Sequence, residues 1–144
     1  MPREDDGASV RSLFFTSEFK RNIRQLARKY RRIKTDIQPI LDELGASKVP
    51  GDRIPGINEE VYKVRARNSD SQRGKSGGYR MIYEVTAEDS IILLTVYSKT
   101  EQDDISPQEI AAIITAYSQE QQEEHQHTGD EQETQAPETS EAEE

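Results

Sequence analysis

Three cations stand at every second position of one short segment, Val61-Tyr62-Lys63-Val64-Arg65-Ala66-Arg67. On an extended chain, alternate residues share a face and stand roughly 6.6–7 Å apart. Lys63, Arg65 and Arg67 therefore project together, while Tyr62, Val64 and Ala66 turn towards a core. That spacing is close to the phosphate spacing of extended single-stranded RNA. A second alternating segment, Tyr79 to Val85, carries Arg80 out of phase with Tyr79, Met81 and Tyr83, so Arg80 can join the same face. Lys75 lies in the Gly-containing connection between the two segments, within reach of that face. Tyr97 and Lys99 share a side at the end of a third segment. An aromatic beside clustered cations suits RNA, because a base can stack on a ring whatever its identity. The same alternation also describes an ordinary solvated sheet face, and Tyr97 alone also reads as a core or rim aromatic.

Other constellations carry less. Gly74-Lys75-Ser76 has the ending of a phosphate-binding P-loop, but the upstream glycine falls on Ser69 and the segment opens no helix. Asp103 and Asp104 have no histidine or third carboxylate spaced to complete a metal site. They read as acids favouring the start of a helix. His125 and His127 lie in a polar tail. The chain has no cysteine, which removes disulfides and thiolate ligands. Neither a metal nor a cofactor is implied.

The elements that must hold the cations follow from the apolar pattern. Ser12 to Thr16 reads as a short strand. Thr16 or Ser17 caps a helix with Phe19, Ile23, Leu26, Tyr30 and Ile33 on one face. Its other face carries Lys20, Arg21, Arg24, Arg28, Lys29, Arg31, Arg32 and Lys34, either a solvated surface or one that meets ribosomal RNA or an acidic partner. Thr35 and Gln38 fit a capping box that starts a second helix, with Ile37, Ile40, Leu41 and Leu44 inward and Gly45 as its stop. Lys48 to Gly56 is a loop. Three strands follow: Val61–Arg67, Tyr79–Val85 and the continuous apolar run Ile91–Val96. Ser106-Pro107 opens a last helix. The expected fold class is α+β: a small antiparallel meander with an N-terminal helical hairpin packed on one face and a C-terminal helix.

Charge divides the chain. The net charge is −9, but residues 11–99 hold 18 bases and 11 acids, or +7, and residues 118–144 hold ten acids and no Lys or Arg. The low pI therefore does not exclude an anionic partner, since the local field matters more than the total. Residues 1–10 read as a flexible N-terminus, 11–117 as the folded domain and 118–144 as a disordered acidic tail. No apolar run approaches the ~20 residues that span a bilayer, so no membrane partner is expected, and the cytoplasm is the default compartment.

The order of elements, together with Tyr62-Lys63-Val64-Arg65, Gly77-Gly78-Tyr79-Arg80-Met81-Ile82-Tyr83 and Leu93-Leu94-Thr95-Val96-Tyr97-Ser98-Lys99, resembles the RelE/ParE toxin superfamily over about residues 12–117. The stretch Gly74 to Arg80, with Tyr97-Ser98-Lys99 and Asp103-Asp104-Ile105-Ser106-Pro107, is most similar to the HigB-like branch.

The resemblance implies a type II toxin that cleaves mRNA on the ribosome and is neutralised by a cognate antitoxin, of helix-turn-helix type by analogy with that branch. It implies that Lys63 and Arg65 form a catalytic basic pair and that Arg80 stabilises the scissile phosphate. The chemistry would be attack of a ribose 2′-OH on its 3′ phosphate, giving a 2′,3′-cyclic phosphate. RelE itself carries an arginine acid after the last strand and a stacking tyrosine near its C-terminus; Thr100 and Ser106 stand at those places. Lys99 and Lys75 are then the candidate acids, Tyr97 the stacking ring, and Arg67 a further RNA contact. Two other functions remain open: a ParE-like gyrase inhibitor, and a non-catalytic RNA- or protein-binding module of the same fold.

Overall fold

Alternating apolar residues build strands only where both faces find cover or solvent, and three segments meet that condition in succession. In the computed structural model, which describes residues 10–70 and 78–135 (125–135 by backbone alone), these are β3 (Glu60–Ala66), β4 (Tyr79–Val85) and β5 (Ile91–Ser98). They pair antiparallel as a meander. Ahead of them come β1 (Leu13–Phe15), α1 (Ser17–Ala27), α2 (Ile33–Gly45) and β2 (Asp52–Arg53), and after them α3 (Pro107–Gln135). The expected flexible N-terminus as far as residue 9, the Lys75 loop and the end of the acidic tail lie outside the described residues.

The sheet has five strands in the order β1-β5-β4-β3-β2 and is mixed. The expected antiparallel meander is its centre; β1 adds beside β5 in parallel, Leu13 opposite Ile91 and Phe15 opposite Leu93. Asp52 and Arg53 pair with Lys63 and Tyr62, a two-residue strand inside what the sequence presents only as a Gly- and Pro-marked loop. Gly51 allows this approach. Its φ is +93°, and a Cβ there would stand 2.3 Å from the Lys63 carbonyl oxygen.

Thr16 starts α1 as expected. Its hydroxyl accepts from the Phe19 amide at 2.9 Å and donates to the Leu94 carbonyl at 2.8 Å, so one side chain caps the helix and ties it to β5. The helix ends at Ala27, earlier than the apolar stripe suggests. Tyr30 and Ile33 keep the three-to-four spacing, yet Tyr30 lies in the turn and Ile33 is the first residue of α2. The Thr35–Gln38 capping box does not form. Arg32 is the N-cap and has no capping side chain of its own; the Asp70 carboxylate accepts its amide at 2.8 Å instead. Asp36 on α2 in turn accepts from the Ser69 amide at 2.8 Å and from its hydroxyl at 3.0 Å. Helix start and strand exit thus hold one another.

The main core lies between the hairpin and one face of the sheet. Phe19, Leu26, Ile33, Ile37, Ile40 and Leu44 meet Val64, Ala66, Tyr79, Met81, Tyr83, Ile91, Leu93 and Val96. Burying each large aliphatic side chain contributes roughly 1.5–3 kcal/mol. Val61, Ile82, Leu94 and Ile110 are also fully buried but stand outside that cluster. The second face of the sheet is therefore covered over part of its area.

Leu93 and Val96 are three residues apart, yet both belong to the helix-side cluster. The register explains it: Ile82 pairs with Thr95 and Tyr83 with Leu93, so Leu94 is skipped as a bulge. The bulge resets the alternation of β5.

The chain divides after Ile113. The backbone beyond it continues as helix to Gln135, through a stretch from Ser118 whose composition predicts disorder. Composition of this kind measures how little can be buried, whereas Glu and Gln, which dominate the stretch, are good helix formers. Among the described residues no helix is long and apolar enough to cross a membrane.

Candidate functional site

The second face of β3 and β4 reads, pair by pair, Val61–Glu84, Lys63–Ile82 and Arg65–Arg80. It changes along its length from a carboxylate at one end to two arginines at the other. β4 and β5 then place Tyr97 opposite Arg80. The row Arg65–Arg80–Tyr97 crosses three strands, with neighbouring Cα atoms roughly 4.5–5.5 Å apart. The bulge at Leu94 makes this row possible. Without it, Tyr97 would share the phase of Ile91 and Leu93 and point towards the helices.

Four of the residues singled out from the sequence, Lys63, Arg65, Arg80 and Tyr97, are brought together here. Arg80 is half-buried, and its guanidinium donates to the Tyr79 carbonyl at 3.3 Å. Arg65 is exposed and, among the described residues, has no carboxylate partner. Arg67 is exposed one residue beyond the end of β3. Lys99 lies past β5: its amide donates to the Gly78 carbonyl at 3.0 Å, and its Nζ is held by the Asp103 carboxylate at 2.6 Å and the Asp103 carbonyl at 2.9 Å. Lys75 lies outside the described residues.

Tyr97 is only 6% exposed, so it presents its hydroxyl to this face and not an open ring. Burial, with the nearby Asp104 carboxylate, pushes its phenol up to about 12, against a smaller opposing pull from Arg80. The hydroxyl is therefore neutral and protonated at physiological pH.

Asp103 and Asp104 do not serve the start of α3. That helix begins at Pro107 and is capped by a reciprocal pair: the Glu109 amide donates to the Ser106 hydroxyl at 3.1 Å, and the Ser106 amide donates to the Glu109 carboxylate at 2.9 Å. The two aspartates turn back onto the cations. Asp104 Oδ1 accepts from Lys63 Nζ at 3.2 Å, from the Tyr97 hydroxyl at 3.5 Å and from the Ile105 amide at 2.8 Å. The Ile105 amide first, then Lys63, hold the Asp104 carboxyl below the usual carboxylate range. This return of the 101–106 loop joins residues 41 apart in sequence, and no local pattern announces it.

Local backbone packing also fixes the described part of the Gly-Gly-Tyr-Arg motif, from Gly78 to Arg80. A Cβ on Gly78 would stand 2.4 Å from the Ala66 carbonyl oxygen, so only glycine lets β4 begin that close to β3. Arg80 follows two residues later.

A cleft of about 600 Å³ adjoins the site, lined by Asn22, Gln25, Lys29, Tyr97, Glu101 and Glu109 among others. It shares Tyr97 with the basic row but includes none of Lys63, Arg65 or Arg80. Cations on an open sheet surface suit a linear polyanion lying across the strands better than a small molecule enclosed in a pocket.

No curated protein matches the sequence. Residues 13–133 match the family model described as the RelE toxin of the RelE/RelB toxin–antitoxin system. That match covers β1 through most of α3, including every described element of the basic face. The chain belongs to the RelE toxin family and is the toxin half of a toxin–antitoxin pair.

Proposed function

We propose that this toxin is an endoribonuclease that cleaves mRNA on the ribosome, in the manner of the HigB-like branch, and that it acts in the cytoplasm until a cognate antitoxin, of helix-turn-helix type, occupies it. The observation that carries the reading is the cross-strand row Arg65–Arg80–Tyr97 with Lys63 beside it on β3. Two arginines directly opposite one another repel, which is unfavourable in the free protein and favourable once an anion sits between them.

The reaction that suits such a face is transfer of the scissile phosphate to the neighbouring ribose 2′-OH. The 2′-oxygen forms a bond to phosphorus, the bond to the 5′-oxygen breaks, and the products are a 2′,3′-cyclic phosphate and a free 5′-hydroxyl. Arg65 and Arg80 neutralise the charge that builds on the phosphorane, the contribution expected to be largest. Lys63 stands next to them on β3 and is the candidate to exchange the 2′-OH proton; it must first leave Asp104. Tyr97, protonated at neutral pH, donates a hydrogen bond from its hydroxyl. Lys99 and Lys75 are the candidate acids for the leaving 5′-oxygen; Lys99 must first leave Asp103. Arg67, exposed beyond β3, extends the cationic track along the strand of RNA.

Induced expression with primer extension on abundant mRNAs tests the reading, comparing the wild type with Arg80→Ala. Growth arrest with in-frame cuts that disappear in the variant is the expected result. Arrest with intact mRNA would overturn it in favour of a protein target such as gyrase, and absence of arrest in favour of a non-catalytic binding module.

A further inference from the structure

Lys63 and Arg65 differ in their surroundings although they are neighbours on one face. Arg65 has no carboxylate partner among the described residues. Lys63 is held at 3.2 Å by Asp104, and the same oxygen takes the Tyr97 hydroxyl at 3.5 Å and the Ile105 amide at 2.8 Å. Three donors converging on one oxygen anion are what a phosphate oxygen would also require. The Lys63 and Asp104 side chains are 38% and 65% exposed, so water competes for the pair and it is readily exchanged.

We propose that the Asp104 carboxylate is an internal stand-in for an RNA phosphate: it holds Lys63 and Tyr97 in place in the free protein and yields Lys63 to a phosphodiester of the bound strand. The inference rests on the reading of this face as an RNA site. Lys63 and Arg65, two residues apart on β3, then meet neighbouring phosphates, at the roughly 6.6–7 Å repeat of one strand face. Asp104 is thus a positioning residue. It keeps a surface lysine beside the reacting centre, and it sets a threshold that only a polyanion engaging Arg65 and Arg80 at the same time overcomes.

The test is a salt titration of the full-length chain binding a short 2′-O-methyl oligoribonucleotide, which cannot be cleaved. In the wild type the Lys63–Asp104 pair must break before Lys63 reaches a phosphate; Asp104→Asn removes that cost and leaves the phosphate contacts of the complex the same. Asp104→Asn is therefore expected to bind roughly two- to fivefold more tightly at an unchanged slope of log affinity against log salt, whereas Lys63→Ala should flatten that slope by about 0.7. Asp104 is largely exposed, so the variant is expected to fold. In a Lys63→Ala background the same substitution should change neither quantity. A slope left unchanged by Lys63→Ala would overturn the proposal, as would equal affinities of the wild type and Asp104→Asn, or an equal gain from Asp104→Asn with Lys63 absent, which would mark a general field effect. Cleavage by the wild type on mRNA-programmed ribosomes reports separately on the RNase reading, so each can fail without the other.

Discussion

Arg65 and Arg80 are direct partners across the β3–β4 ladder, with no carboxylate between them among the described residues. Like charges opposite one another destabilise a strand pair by roughly 0.2–1 kcal/mol. Arg65→Gln should therefore leave the melting temperature unchanged or slightly raised, while lowering mRNA cleavage by about 10²–10³-fold, as for loss of one donor to a transition-state anion. Thermal melts and primer extension measure the two. A loss of stability accompanying the loss of cleavage would place Arg65 among structural residues.

Thr16 acts at two places at once. Its hydroxyl caps α1 and donates to the carbonyl of the bulged Leu94. Thr16→Val keeps the shape, leaves the Phe19 amide without its cap and removes a hydrogen bond to the buried Leu94 carbonyl, at a cost of about 1–3 kcal/mol. Urea denaturation would show it. The Tyr97 ring signals should also shift in NMR spectra, because the bulge decides which way Tyr97 faces.

Burial, and then Glu59, raise the Glu84 carboxyl above its usual range. A group whose folded value is raised contributes stability that is full below its unfolded value of about 4.3 and is lost as pH rises through the folded value. Glu84→Gln should therefore raise the melting temperature at pH 7, and the gain should vanish as pH approaches 4. A gain that persists at pH 4 would show that the charge is not its source.

Gly78→Ala would press a methyl group against the Ala66 carbonyl. Backbone must move, so a loss of roughly 1–3 kcal/mol is expected. The β4 start would shift and carry Arg80 with it, so cleavage should fall further than stability alone explains. Measuring activity well below the melting temperature separates the two effects.

Much of this was legible in the sequence, for physical reasons that differ by residue. Lys63, Arg65 and Arg80 declared their shared face because strand alternation has a period of two and the intervening residues are apolar. The helical stripe from Phe19 to Leu26 was equally plain. The break after Ala27 was not, because Tyr30 and Ile33 stay buried with the same spacing through the turn. The cap on α2 is Asp70, 38 residues away from Arg32, and capping at that range has no local signature. Similarly, Asp103 and Asp104 resemble helix-start acids until the loop is seen to fold back. Ile91 to Val96 is apolar throughout, so its pattern holds no phase, and the bulge that turns Tyr97 towards Arg80 could not be read from it.

The way β5 ends its pairing has a consequence for the protein among its neighbours in solution. β1 covers β5 only as far as Leu93, and the next stretch of that margin would offer bare amides to any extended chain. Asn22 closes it: its side-chain oxygen accepts the Val96 amide at 3.2 Å and the Thr95 hydroxyl at 2.7 Å. At the opposite margin, β2 is two residues long and both are charged. Both of these described stretches are thus kept short or charged, the features by which sheets discourage edge-to-edge pairing with another chain.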